Sequence, residues 1–203
     1  MLDVAAALFL EQGYGATTLE AVVQGAGVSK RTLYQRFPDK AALFAAVLEH
    51  IFESLRPPET VPLIQGDHLP AVLERLAGFM LEGALQPRAL AVHRLMTAES
   101  GRFPEIGRML AANPLVRLAT TLVAGLLQQP SAPHLHEAEN TVALPPVLEF
   151  LATQFLVLVV THPQRAACGL APALTAEQLA HWPHDCVQLF LHGALASAQR
   201  PGP

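Results

Sequence analysis

The chain has 203 residues, 13 basic and 17 acidic side chains, a formal net charge of −4, and 51% apolar against 15% charged residues. That balance belongs to a globular protein with one large or two modest cores and excludes a disordered one. The most apolar window, FLATQFLVLVVTH at 150–162, is shorter than the ~18 residues of a membrane span and is interrupted by Thr153 and Gln154. MLDVAAALFLEQG lacks the basic region and cleavage site of a signal peptide, so a cytoplasmic protein without a membrane partner is expected.

Periodicity is helical almost throughout, and no Asn-Gly or Asp-Gly hairpin signal occurs. An all-α fold of about nine helices is therefore expected. Four short helices fall within 2–55, and longer, more apolar ones fall near 69–86, 88–100, 104–128, 145–162 and 175–198. The composition shift at RPPETVPLIQGDH (56–68) sets the expected boundary between domains 1–55 and 56–203. QQPSAPHLHEAENTVALPP (128–146) reads as a long mobile loop.

The first informative stretch is TTLEAVVQGAGVSKRTLYQRFPDK, residues 17–40. TTLE has the form of a capping box, with Thr17 and Glu20 exchanging bonds to each other's amides and starting a helix that runs to about Gln24. Gly25 to Gly27 then close it, because glycine enters the left-handed conformation without a steric cost. Ser29 is placed to cap the next helix, with Val28 and Leu33 as a hydrophobic staple. Two short helices joined by a glycine turn make a helix-turn-helix.

On the second of these helices Leu33 and Phe37 share the inward side with Val28. Lys30 with Tyr34, and Arg31 with Gln35, form an outward polar stripe. Such a stripe can donate to guanine through Arg31 or Lys30, pair with adenine through Gln35, and reach phosphate through Tyr34. Four basic residues against one acidic in GVSKRTLYQRFPDK (27–40) make a local DNA-reading patch inside a mildly acidic chain. With a screening length of ~10 Å, local charge governs docking.

The string AAALFLEQGYGATTLEAVVQGAGVSKRTLYQRFPDKAALFAAVL (5–48) resembles the DNA-binding domain of the TetR family of bacterial transcriptional repressors. It carries in order Ala6 and Phe9, Gly13, the Thr pair, Ala26-Gly27-Val28-Ser29, Thr32-Leu33-Tyr34, Phe37 and Lys40. The resemblance implies an all-helical homodimer on a palindromic DNA operator and a C-terminal domain that binds a small inducer and dimerises. It also implies phosphate contacts from Thr18, Tyr34 and Lys40, and base reading by Lys30, Arg31, Thr32 and Gln35 next to the Ser29 cap. Two departures stand out. Family members often carry a small residue where this chain has Arg31, so the base pattern does not transfer. The basic arm that usually precedes the first helix is missing ahead of MLDV, which implies weaker DNA binding or a start further upstream.

The segments HRLMTAESGRFPEIGRML (93–110) and DCVQLFLHGAL (185–195) resemble the AefR-type subgroup. In the family the last two helices dimerise. Val147 to Val160 is apolar nearly all round here, and Leu179, Val187, Phe190, Leu191 and Leu195 supply a second apolar side. Phe79, Met80, Leu95, Met96, Phe103, Met109, Phe150 and Phe155 are candidate linings of a pocket for an uncharged, apolar or aromatic effector, with His93, Arg94 or Glu99 as polar anchors. Each is individually more often plain core.

Neither His134 and His136 beside Glu137, nor His181 and His184, have the spacing that places two metal ligands on one helix face, so no metal or other cofactor is expected. Cys168 and Cys186 suit a reducing compartment as small hydrophobes, with a disulfide between them left open. No nucleophile elbow, phosphate-binding glycine loop or His-Glu-x-x-His occurs, so no enzyme is expected. A ligand-responsive repressor is the preferred reading. A constitutive DNA-binding regulator, and a carrier or enzyme with a vestigial helix-turn-helix, stand as alternatives.

Overall fold

The computed structural model describes residues 1–54, 68–111, 114–128 and 145–198, and among them finds ten helices and no strand. They are α1 (Leu2–Ala16), α2 (Leu19–Ala26), α3 (Lys30–Arg36), α4 (Lys40–Ser54), α5 (Leu69–Leu85), α6 (Pro87–Glu99), α7 (Pro104–Ala111), α8 (Pro114–Gln128), α9 (Pro146–Ala167) and α10 (Ala176–Ala198). The 56–67 part of the expected boundary, most of the expected 128–146 loop and its histidines His134 and His136 lie outside the described residues.

Two of these helices depart from the expected boundaries because of proline. The single helix expected over 104–128 is two, since Pro114 starts α8 at its first position, where its missing N–H costs nothing. Conversely, α9 does not stop at 162 but continues through Pro163. Proline there leaves the carbonyl of Val159, four residues back, without its helical donor, and the indole Nε1 of Trp182 donates to that carbonyl at 2.9 Å. The tertiary partner makes the interior proline tolerable.

The described residues form two compact units, one drawn from those within 1–56 and 87–115, the other from those within 57–86 and 116–203. In the first, α1 packs on α2, α4 and α6, with α7 against α6. Its core is built on Phe9, Tyr14, Val22, Leu33, Leu43, Phe44, Ile51, Val92 and Ile106. Phe9, Tyr14 and Phe44 meet with ring centroids 4.9 to 5.9 Å apart, in stacked and edge-on pairs that add to their area burial. In the second, α5, α9 and α10 pack mutually around Leu73, Val123, Phe155, Val159 and Val187. Thr175 and Gln178 exchange bonds to each other's amides at 2.8 and 3.1 Å, a capping box that opens α10. Cys168 and Cys186 are both free thiols. Burial pushes the Cys186 thiol up to about 11.

By length and composition alone α9 could cross a membrane, and no other described helix could. Its Ala152, Phe155, Val159 and Pro163 are buried within the second unit.

Candidate nucleic-acid interface

The helix-turn-helix is built by two caps and one glycine. Thr18, not Thr17, caps α2: its Oγ1 accepts from the amide of Ala21 at 3.1 Å, and the capping box expected at Thr17 and Glu20 does not form. Thr17 is buried, and its hydroxyl turns back to the carbonyl of Gly13 at 2.8 Å, with that of Leu8 at 3.2 Å. Sequence spacing could not separate two adjacent threonines, because which hydroxyl faces the helix depends on the corner before it. Glu20 instead pairs with Lys30 across the turn at 3.2 Å.

The turn itself belongs to Gly27, left-handed at φ 63, whose amide donates to Val23 and Gln24. α2 extends to Ala26, so Gly25 is helical rather than part of the turn. A Cβ at Gly25 would come within 2.9 Å of Val4, so this glycine permits close approach of α1. Ser29 caps α3 as expected, its Oγ accepting from the amide of Thr32 at 3.0 Å.

Within α3 the burial pattern is two-sided. Leu33 is fully buried and Phe37 nearly so, whereas Lys30, Arg31, Thr32, Tyr34, Gln35 and Arg36 are exposed, Tyr34 by 45%. A seven-residue helix that buries one leucine and leaves six polar side chains in solvent is shaped to be read from outside. Arg36, absent from the sequence-based set, belongs beside Thr32 by its four-residue spacing, and its guanidinium lies 5.8 Å from the Phe37 ring centroid. Thr18 and Ser29 are exposed near the two helix starts.

Lys40 has a different environment from the other expected contacts. It is half-buried at the start of α4, and its Nζ donates to the carbonyls of Tyr14, Gly15 and Thr17 at 2.8, 3.1 and 3.2 Å. The same ammonium lies 4.7 Å from the centroid of the Tyr14 ring. Burial, with the Glu105 carboxylate nearby, pushes the Tyr14 phenol up to about 12.

The residues expected to line an effector pocket divide between the units. Leu95 and Met96 are buried in the first core, with Phe103 and Met109 packed against it and His93 half-buried on α6. Phe155 is fully buried in the second core with Met80 against it, and Phe79 is half-buried on α5. Phe150 is 61% exposed. His184 pairs with Glu74 at 3.0 Å, and His181 Nδ1 lies 3.0 Å from the Glu177 carbonyl. Among the described residues no three His, Cys, Asp or Glu side chains gather as metal ligands.

Comparison with known proteins agrees with this architecture. Residues 1–47 match the pattern of bacterial regulatory proteins of the tetR family, and residues 71–193 match the C-terminal domain of AefR-like transcriptional repressors. The transcriptional activator FasR of Mycolicibacterium smegmatis is 38% identical over 55 residues, 27% of this chain and 25% of FasR. The transcriptional repressor ComR of Escherichia coli is 42% identical over 52 residues, 26% of this chain and 25% of ComR. This chain thus spans about a quarter of the length of the curated relatives it matches. Among solved structures, the flavonoid-responsive regulator FrrA superposes with a TM-score of 0.66 at 30% identity, over 94% of this chain and 92% of FrrA. A TetR-family regulator from Mesorhizobium loti gives the same TM-score at 22% identity over 94% and 92%, which speaks for the fold alone. With the caps, the left-handed glycine and the outward polar helix in place, these matches show that the chain belongs to the TetR family of transcriptional regulators, with a DNA-binding helix-turn-helix and an AefR-like C-terminal domain.

Proposed function

We propose that this regulator represses transcription as a homodimer on a palindromic operator, and that a small apolar or aromatic compound releases it. The observation that carries the DNA half of this reading is α3, where one buried leucine anchors an otherwise exposed polar helix. Arg31, Lys30, Thr32 and Gln35 are its base-reading set, and Thr18 and Tyr34 its phosphate contacts, with Arg36 as an added candidate. Residues 1–55 serve DNA, and 56–203 serve the effector and the dimer.

Val147, Phe150 and Val157 support the dimer. They are 62%, 61% and 49% exposed and lie along one side of α9, a side that a second copy related by a twofold axis would cover with its own equivalent. Leu189 on α10 is also exposed. A palindromic operator sets its half-sites about 34 Å apart, one turn of duplex DNA, and each would take one α3 helix of such a dimer. Phe79, Met80 and Phe155 share one unit and supply the adaptable aromatic and thioether surface that an apolar effector requires. FrrA is a flavonoid-responsive regulator, and flavonoids are aromatic, which supports an aromatic one here. The effector acts by preferring a conformation with a different separation of the recognition helices.

Fluorescence anisotropy of the protein on its promoter-proximal duplex and a shuffled control, at low and physiological salt, tests the DNA half. Preference for the native fragment by ~10³-fold or more is expected. Equal, weak, salt-sensitive binding to both would refute sequence-specific regulation at that promoter. A panel of aromatic compounds that moves neither thermal stability nor DNA affinity would refute the effector class.

A further inference from the structure

The corner between α1 and α2 is more heavily braced than a surface turn requires. Gly13, at φ 86 and ψ 165, breaks α1, and the chain runs through Tyr14 to Ala16 into the extended Thr17 before Thr18 caps α2. Broken this way, the end of α1 points carbonyl oxygens of Tyr14, Gly15 and Thr17 at one spot, where partial negative charge gathers. Lys40 reaches back from α4 to fill it. An ammonium has three protons, and here each has a carbonyl within 3.2 Å. Nothing is left to donate to a phosphate.

The other sides of the corner are closed as well. The Thr17 hydroxyl ties it to Gly13 at 2.8 Å. Tyr14 is wedged by Phe9, Phe44 and Phe103, and its hydroxyl donates to Glu105 at 3.4 Å. A Cβ on Gly13 would lie 2.7 Å from the Glu99 carboxylate, and one on Gly15 would lie 3.4 Å from the Phe103 ring. The segment 99–105 therefore lies directly against the corner, within the same compact unit.

We infer that Lys40 is a positioning residue of the DNA interface: its ammonium holds the 14–17 corner closed so that Thr18 and the first turn of α2 meet a phosphate, while Lys40 itself touches no DNA. The inference rests on the DNA reading above and gives Lys40 a positioning role in place of the phosphate contact that the family resemblance implies for it. Phe103 and Glu105 reach the same corner through Tyr14, so displacement of the 99–105 segment would loosen the element that presents Thr18.

The chain contains two lysines, Lys30 and Lys40, so pulsed acetylation read by mass spectrometry resolves them in the unmutated protein, free and bound to the promoter-proximal duplex. Lys30 should label readily when free and be protected by the duplex. Lys40 should label at least about tenfold more slowly in both states, as expected for an ammonium whose protons are all engaged. Rapid labelling of Lys40 that the duplex suppresses overturns the inference and leaves the DNA reading intact. Failure of the protein to bind duplex in a salt-dependent way overturns the DNA reading and the inference with it.

Lys40→Met provides the second arm, with circular dichroism confirming its fold. A lost phosphate contact lowers the slope of log K against log salt by about 0.9 per contact. Here affinity should fall about tenfold or more with the slope unchanged. Lys40→Met should add no loss in a Thr18→Ala background, and Lys40→Arg, whose planar fork cannot aim at three carbonyls of one corner, should not restore binding. A reduced slope, full additivity with Thr18→Ala, or rescue by Lys40→Arg would each refute positioning. If Lys40→Met does not fold, the labelling result decides.

Discussion

Arg31 and Tyr34 are both exposed on α3, yet they should fail differently when changed. Arg31→Ala is expected to relax discrimination at one base position by about 1–3 kcal/mol, because a bidentate guanidinium contact to a base edge carries sequence information. Tyr34→Phe should weaken binding to all sequences alike, since a phosphate is the same everywhere. Anisotropy titrations on operator variants and random duplex distinguish the two, and equal losses for Arg31→Ala on both would remove it from the base-reading set. Tyr14 yields a prediction in pH. Its folded-state pKa is raised from 10.0 to about 12 by burial and by Glu105. A raised value means that the stabilisation is fully present below pH 10 and is lost as pH climbs toward 12. Urea midpoints across that window should fall more steeply for the wild type than for Tyr14→Phe.

At the scale of elements, α9 and α10 depend on one unusual hydrogen bond. The Val159 carbonyl has no helical donor because Pro163 has no N–H, and Trp182 supplies the missing proton. Trp182→Phe keeps most of the packing but orphans that carbonyl. An orphaned buried acceptor costs about 1–3 kcal/mol, so the loss in equilibrium urea denaturation should lie in that range. Pro163→Ala in the Trp182→Phe background should recover part of it by restoring the helical donor. In the helix-turn-helix, Leu33 is the residue that fixes α3, being fully buried beside Val22 in the first core. Leu33→Ala should cost about 2–5 kcal/mol through the cavity it leaves.

For the whole molecule the test is association. Phe150 stands 61% exposed on the same side of α9 as Val147 and Val157, and an exposed apolar stripe of this kind is expected to be covered by a partner. If the proposed homodimer uses this side, Phe150→Asp should leave only monomer in sedimentation equilibrium, with the wild type a dimer and the helical content and fold of each unit unchanged. It should also abolish operator binding, because two half-sites are engaged only by linked recognition helices. A variant that still sediments as a dimer would move the interface away from this side of α9.

Much of the helix-turn-helix was legible in the amino-acid sequence because its determinants are local. Ser29 as a cap, Gly27 as a left-handed turn, the inward pair Leu33 and Phe37 and the outward polar stripe all follow from spacings of four residues or fewer, over which backbone geometry dictates which side chains share a side. The all-helical class was equally legible from periodicity. Only the tertiary structure decided the rest, because it depends on contacts between residues far apart in the chain. It chose Thr18 over Thr17 as the cap by burying Thr17 under the end of α1. It carried α9 through Pro163 by lending it the indole of Trp182. It placed Leu95 and Met96 in the core with α1, and Phe155 in a separate one. It also turned Lys40 from solvent toward three carbonyls 23 to 26 residues away, a destination that no local pattern encodes, since the charge that attracts it exists only once α1 has been broken and α4 packed beside it.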